Sequence, residues 1–111
     1  MAAATSYVLI ETRDPFESAE VDSFFELAGR LGATADVSVY LVENGVMPLR
    51  SASAAAPGIA KLTERVTVLA DDFSLRQRAI DTSDLARGVT PVSIDRLVEL
   101  ITTTGCKAMW H

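Results

Sequence analysis

The sequence predicts an α/β protein with three layers, α/β/α, built on a mainly parallel sheet of four to five strands. Three observations predict it. Short runs rich in β-branched and aromatic residues recur along the chain. Between them lie segments with apolar residues at three- and four-residue spacing, and cap and turn residues mark the junctions. Strands that alternate with helices fold into one parallel sheet covered on both faces. The 111 residues suffice for one domain, read as 1–111. At that length roughly two-thirds of the unfolded surface can be buried without staples. No internal repeat or linker divides the chain; the Ala/Ser stretch 51–56 is too short and too central to be one.

Tyr7-Val8-Leu9-Ile10-Glu11-Thr12 reads as a buried strand. Asp14-Pro15-Phe16-Glu17 starts a helix: Asp14 can accept from free backbone N–H groups, and Pro15 fits the first helical position. Val21, Phe24, Phe25, Ala28 and Leu31 continue it at helical spacing, and Gly32 ends it. Val37–Val42 is the second strand, with Asn44-Gly45 as an exit turn that tolerates positive φ. Residues 47–57 read as a loop or loose helix, followed by a short helix from Pro57 to Glu64. Val66–Ala70 is the third strand, and Asp71 or Asp72 caps a helix through Ile80. Thr82 to Ala86 makes a short turn ending at Gly88, and Val89 is a very short strand. Thr90-Pro91 or Ser93 starts the last helix, whose Ile94, Leu97, Val98 and Ile101 share one face. Lys107-Ala108-Met109-Trp110 closes the sheet.

Composition removes several function classes. Ten Lys and Arg against 15 Asp and Glu give a net charge of -5, the reverse of a nucleic-acid binder or an anionic-membrane binder. No apolar run reaches the ~18 residues of a membrane helix. The start, Met1-Ala2-Ala3-Ala4-Thr5-Ser6, lacks the basic and apolar regions of a signal peptide, so a cytoplasmic protein is expected. One cysteine, Cys106, excludes an intrachain disulfide, a CxxC redox pair and a multi-cysteine zinc site. One histidine, His111, would have to serve any His-dependent catalytic site. Neither GxGxxG nor GxxxxGK[ST] occurs, and no cofactor or metal is expected.

Ligands of open parallel sheets bind beyond the carboxyl ends of the strands. That rule selects Thr12-Arg13-Asp14, Glu43-Asn44-Gly45, Asp71-Asp72-Phe73-Ser74 and Trp110-His111. The ligand-binding candidates are Glu43, Asn44, Gly45, Asp71, Asp72, Ser74 and Arg76; no catalytic residue is assigned. Asp14 reads first as a helix cap. Asp71 and Asp72 read as one cap and one solvated residue, or with Glu43 as a carboxylate cluster for a hard cation or acid–base work. Arg76 and Arg78 are surface residues, or Arg76 pairs with Asp72 at i,i+4. Cys106 is a buried small apolar residue, or a nucleophile activated by Lys107.

Strings along the chain carry a resemblance. They are Val66-Thr67-Val68-Leu69-Ala70-Asp71-Asp72-Phe73-Ser74-Leu75-Arg76-Gln77-Arg78-Ala79-Ile80, the turn Glu43-Asn44-Gly45-Val46, and the ending Lys107-Ala108-Met109-Trp110-His111. Together they resemble the DsrE/DsrF/DsrH-like family of sulfur-relay proteins over nearly the whole chain. Ala79 stands where that pattern usually has glycine. The resemblance implies a three-layer fold with a five-stranded sheet, assembly as trimers, hexamers or mixed complexes, and other sulfur-relay proteins as partners. It also implies that sulfur-carrying members hold a cysteine at the end of the third strand. In this chain that position falls at or near Asp71, and no cysteine lies between residues 60 and 105. The expected function is therefore an accessory or ligand-binding role linked to sulfur metabolism. The competing readings are a sulfur carrier using Cys106, or a small acidic-site enzyme or cation-binding module. The aromatic residues Phe16, Phe24, Phe25, Tyr40, Phe73 and Trp110 also suggest a homo-oligomer, with Trp110 and Met47-Pro48-Leu49 as candidate contacts.

Overall fold

The computed structural model describes residues 5–111. The reading of residues 1–4 as no signal peptide lies outside the described residues. The elements, in chain order, are β1 (Ser6–Glu11), α1 (Glu20–Leu31), β2 (Asp36–Leu41), a 3-10 helix (Glu43–Leu49), α2 (Ala56–Leu62), β3 (Thr67–Asp71) and α3 (Asp72–Gln77). A second 3-10 helix (Thr82–Asp84), β4 (Thr90–Val92), α4 (Ile94–Thr102) and β5 (Cys106–Trp110) complete the chain. The five strands run in the order β4-β3-β2-β1-β5, and every pair is parallel.

That order fixes the layers. Three crossovers step from β1 to β4 in one direction, and the last jumps back to the far side of β1. Right-handed crossovers therefore place α1, α2 and α3 on one face and α4 on the other. Side chains alternate along each strand accordingly. Leu9, Val39, Leu41, Val68 and Ala70 pack with Ala28 of α1, Ile59 of α2 and Leu75 of α3. Val8, Ile10, Tyr40 and Leu69 pack with Leu97 of α4. The first cluster holds fifteen buried apolar residues and the second five, among the described residues. The second face thus has one helix for cover.

Several boundaries differ from the sequence reading, each for a physical reason. Asp14 does cap: the Phe16 N–H donates to its Oδ1 at 3.0 Å. It closes only one turn, and α1 begins at Glu20. Phe16 is 61% exposed, so its ring does not anchor this turn in line with α1. Helix α3 stops at Gln77 rather than Ile80. The Ile80 N–H returns to the Leu75 carbonyl at 3.0 Å with Ala79 left-handed at φ 53, a Schellman ending that swings Ile80 into the core. The fourth strand, a very short one, is Thr90–Val92 rather than Val89, and Pro91 is tolerated because β4 is an edge. Helix α4 then begins at Ile94 behind Ser93. Cys106 opens β5 instead of preceding it.

The Asn44-Gly45 turn is the start of a 3-10 helix, and its positive φ falls on Glu43, at 56°. Gly45 is needed for closeness instead: a Cβ there would sit 2.3 Å from the Glu11 carbonyl oxygen. In the Met47-Pro48-Leu49 segment Pro48 and Leu49 are buried within the chain itself, and only Met47 is half-exposed.

Candidate functional site

Two polar clusters lie along the carboxyl edge of the sheet. The first joins β2 and β3. Asp71, the last residue of β3, is buried, and both of its oxygens are occupied. The Tyr40 hydroxyl donates to Oδ1 at 2.7 Å. Ser74 donates to Oδ2 twice, from its backbone N–H at 2.9 Å and its hydroxyl at 2.6 Å. The Ser74 Oγ in turn accepts the Glu43 N–H at 2.8 Å, an N–H that the left-handed Glu43 backbone presents to it. Asp71 is therefore the cap of α3, and burial beside its carboxylate pushes the Tyr40 phenol above its usual range.

An exposed rim continues from this network. Arg78 donates through Nε and Nη2 to Asn44 Oδ1 at 3.2 and 3.0 Å, and through Nη1 to the Ser74 carbonyl at 3.3 Å. Asn44 Nδ2 donates to Glu17 at 3.3 Å. Of the sequence candidates, Glu43, Asn44, Asp71 and Ser74 thus come together, and Gly45 seats the turn against β1. Asp72 and Arg76 do not join them. Their side chains face each other at 3.6 Å on α3, with the Arg76 guanidinium 5.9 Å from the Phe73 ring centre. Among the described residues no group of three or more His, Cys, Asp or Glu is arranged to hold a metal ion, so Glu43, Asp71 and Asp72 form no ligand set. Sequence reasoning missed Tyr40 and Arg78; the period-2 alternation that puts Tyr40 and Asp71 on one face was the available signal for the first.

The second cluster sits where the strand order reverses, between β1 and β5, the usual crevice of such sheets. Glu11 ends β1 and is fully buried, facing α1. His111 Nδ1 lies 2.6 Å from its Oε1, and the Arg13 N–H donates to its Oε2 at 3.0 Å. The other ring nitrogen, Nε2, lies 3.1 Å from Glu20 of α1. The ring packs on Phe24, centres 5.2 Å apart. Thr12 donates to the His111 carbonyl from its backbone N–H at 3.1 Å and its hydroxyl at 2.9 Å. Both ring nitrogens face carboxylate oxygens, so the doubly protonated imidazolium is the form that satisfies both. The bonds to Glu20 and Glu11 raise the His111 pKa, and the same contact lowers that of Glu20. His111 thereby clasps β5 to β1 and α1. The sequence marks Thr12 and His111 as edge positions, and His111 also as the one available imidazole, but it does not single out Glu11 or Glu20.

Residues 13–105 match the family model described as DsrH like protein. The chain belongs to the DsrH-like family. Solved structures carry the same fold. A protein of unknown function, MTH1491, from Methanobacterium thermoautotrophicum superposes with a TM-score of 0.81 at 23% identity, over 98% of this chain and 100% of that one. The ychN protein from E. coli gives 0.73 at 18% identity, over 96% and 100%. No curated protein matches the sequence. In this DsrH-like chain Cys106 pairs with Ser6, at the amino edge of the sheet. It is half-buried against the α4 face, roughly 13 Å along the strand from Trp110 at ~3.3 Å per residue. Membership in the DsrH-like family points to a role related to sulfur relay. No helix among the described residues is long and apolar enough to cross a membrane.

Proposed function

We propose that this DsrH-like protein supports a sulfur relay without carrying the sulfur itself, as an accessory, ligand-binding subunit of a cytoplasmic homo-oligomer. Asp71 is the observation that carries the reading. By the family resemblance, the end of the third strand is where sulfur-carrying members hold their cysteine. In this chain that place falls at or near Asp71, a carboxylate with both oxygens committed to Tyr40 and Ser74. A carboxylate forms no persulfide, and the thiol of Cys106 stands at the opposite edge of the sheet. The protein's work is then binding, at the rim of Glu43, Asn44 and Arg78 above Asp71 and the buried Ser74. Its partners are further copies of itself, in a trimer or hexamer, and other sulfur-relay proteins.

Exposure to a small-molecule persulfide donor, followed by intact-mass analysis, tests this. The expected result is a native chain without a stable added sulfur and with slow thiol labelling at Cys106. Rapid gain of one sulfur atom by the wild type, lost in Cys106→Ser, would overturn the reading in favour of a carrier.

A further inference from the structure

Residues 13–20, which join β1 to α1, touch both polar clusters. The Arg13 N–H donates to Glu11 Oε2 at 3.0 Å, and Glu20 meets His111 Nε2 at 3.1 Å. Between them Glu17 accepts from Asn44 Nδ2 at 3.3 Å, while Arg78 donates to Oδ1 of the same Asn44 side chain. The remaining hydrogen bonds of the turn, from Phe16, Glu17 and Ser18 to Asp14, are internal to it. The clusters also meet through the main chain. The Glu11 carbonyl accepts the Val42 N–H at 3.1 Å and lies against Gly45, the neighbour of Asn44.

The charged groups that face the imidazole are Glu11 from β1, Glu20 from α1 and Arg13 from the connecting segment. Its two nitrogens meet unequal carboxylates: the Glu11 side chain is fully buried and that of Glu20 is 75% exposed. A neutral ring has one N–H to give. Stripping the buried Glu11 of its donor costs more than returning Glu20 to water. The neutral ring therefore keeps Nδ1–H on Glu11 and turns the lone pair of Nε2 towards Glu20, which leaves. We propose that His111 is a proton-operated latch on residues 13–20: the imidazolium holds them against β5 with Glu17 on Asn44, and the neutral ring releases both contacts. The bonds to Glu20 and Glu11 raise the His111 pKa, so the latch opens above the ordinary histidine range. With Glu17 withdrawn, Asn44 Nδ2 is free to donate to a ligand. The latch thus regulates the rim and rests on the reading of that rim as a binding surface. By linkage, a ligand that takes the Asn44 donor loosens the proton on His111 in turn.

An NMR titration of the isotope-labelled full chain tests the latch without any ligand, from about pH 5.5 to 9, where ordinary carboxylates stay ionised. His111 is the sole histidine, so its ring resonances give one curve. The amides of residues 13–20 and the Asn44 side-chain amide are expected to shift at the midpoint of the ring, and protection of residues 13–20 from hydrogen exchange to fall above it. In His111→Gln these inflections should vanish. In Glu17→Ala the Asn44 inflection alone should vanish. In Glu20→Gln, a change at an exposed site, the ring midpoint should fall and the inflection of residues 13–20 should move down with it. Resonances of residues 13–20 or Asn44 that stay flat across the His111 midpoint, or that keep their inflection in His111→Gln, would overturn the latch. So would an Asn44 inflection that survives Glu17→Ala. Should His111→Gln not fold, Glu20→Gln decides, and an inflection that does not follow the ring would overturn the latch. Gain of sulfur at Cys106 would sink the accessory reading and leave this titration unchanged.

Discussion

Replacing Asp71 by alanine removes the acceptor of two Ser74 donors and leaves a buried Tyr40 hydroxyl without its partner. Loss of a cap together with a buried charged hydrogen bond is expected to cost about 2–4 kcal/mol. Asp72→Ala removes only an exposed i,i+4 pair and should cost under ~0.5 kcal/mol. Urea titration of both variants checks the difference, and equal small effects would show that Asp71 does not hold the network. Ala79 offers the opposite sign. Its φ of 53 is a conformation that costs a residue with a Cβ about 1–2 kcal/mol, of which glycine's extra unfolded freedom returns ~0.5–1. Ala79→Gly should therefore stabilise by roughly 0.5–1 kcal/mol, seen as a rise of a few degrees in Tm. At this scale the sequence is most legible where a partner is close: Asp71 and Ser74 are three residues apart, and the cap signature narrows the helix start to Asp71 or Asp72. Glu11 and His111 are 100 residues apart, and no local pattern links them.

The clasp at His111 acts between elements, and its pH dependence has a definite sign. The raised His111 pKa means that its contribution is fully present below the unfolded value near 6.5 and is lost as pH rises through the folded value. The lowered Glu20 pKa contributes above its unfolded value of 4.5 and is lost as pH falls through the folded one. Stability from the clasp is thus greatest between about pH 4.5 and 6.5. His111 is the sole histidine, so a change in denaturation midpoint between pH 6 and 8, followed by circular dichroism, reports one imidazole. The decline in denaturation midpoint from pH 6 to 8 should be steeper in the wild type than in His111→Gln; identical slopes would show that the imidazole is not clasped. Helix α4 shows what element-level reading can and cannot give. Periodicity correctly grouped Ile94, Leu97, Val98 and Ile101 on one side. It could not tell which neighbour covers that side, and only Leu97 reaches the sheet. The helix drawn from Asp14 failed differently, because a cap signature marks where a turn starts and says nothing of whether packing continues it.

Across the whole molecule, strand–helix alternation was enough to read a parallel α/β sheet, since parallel strands require crossovers of that kind. The strand order was not legible, because every order of five parallel strands presents much the same local pattern. The order creates two unequal faces, and the one under α4 holds the smaller core. Amide hydrogen exchange should therefore find β5 and the α4 face opening before β1, β2 and β3. Equal protection of all strands would contradict this. The order also has a consequence for how the chain acquires its structure. β1 lies inside the sheet, yet one of its two partners, β5, is the last strand made: Ser6 waits for Cys106 and Ile10 for Trp110. At ~5–20 residues per second on a ribosome, one flank of β1 stays open for several seconds after β2 has closed the other. Until β5 arrives, that flank is a bare row of backbone donors and acceptors beside Val8, Leu9 and Ile10, open to pairing with another nascent chain.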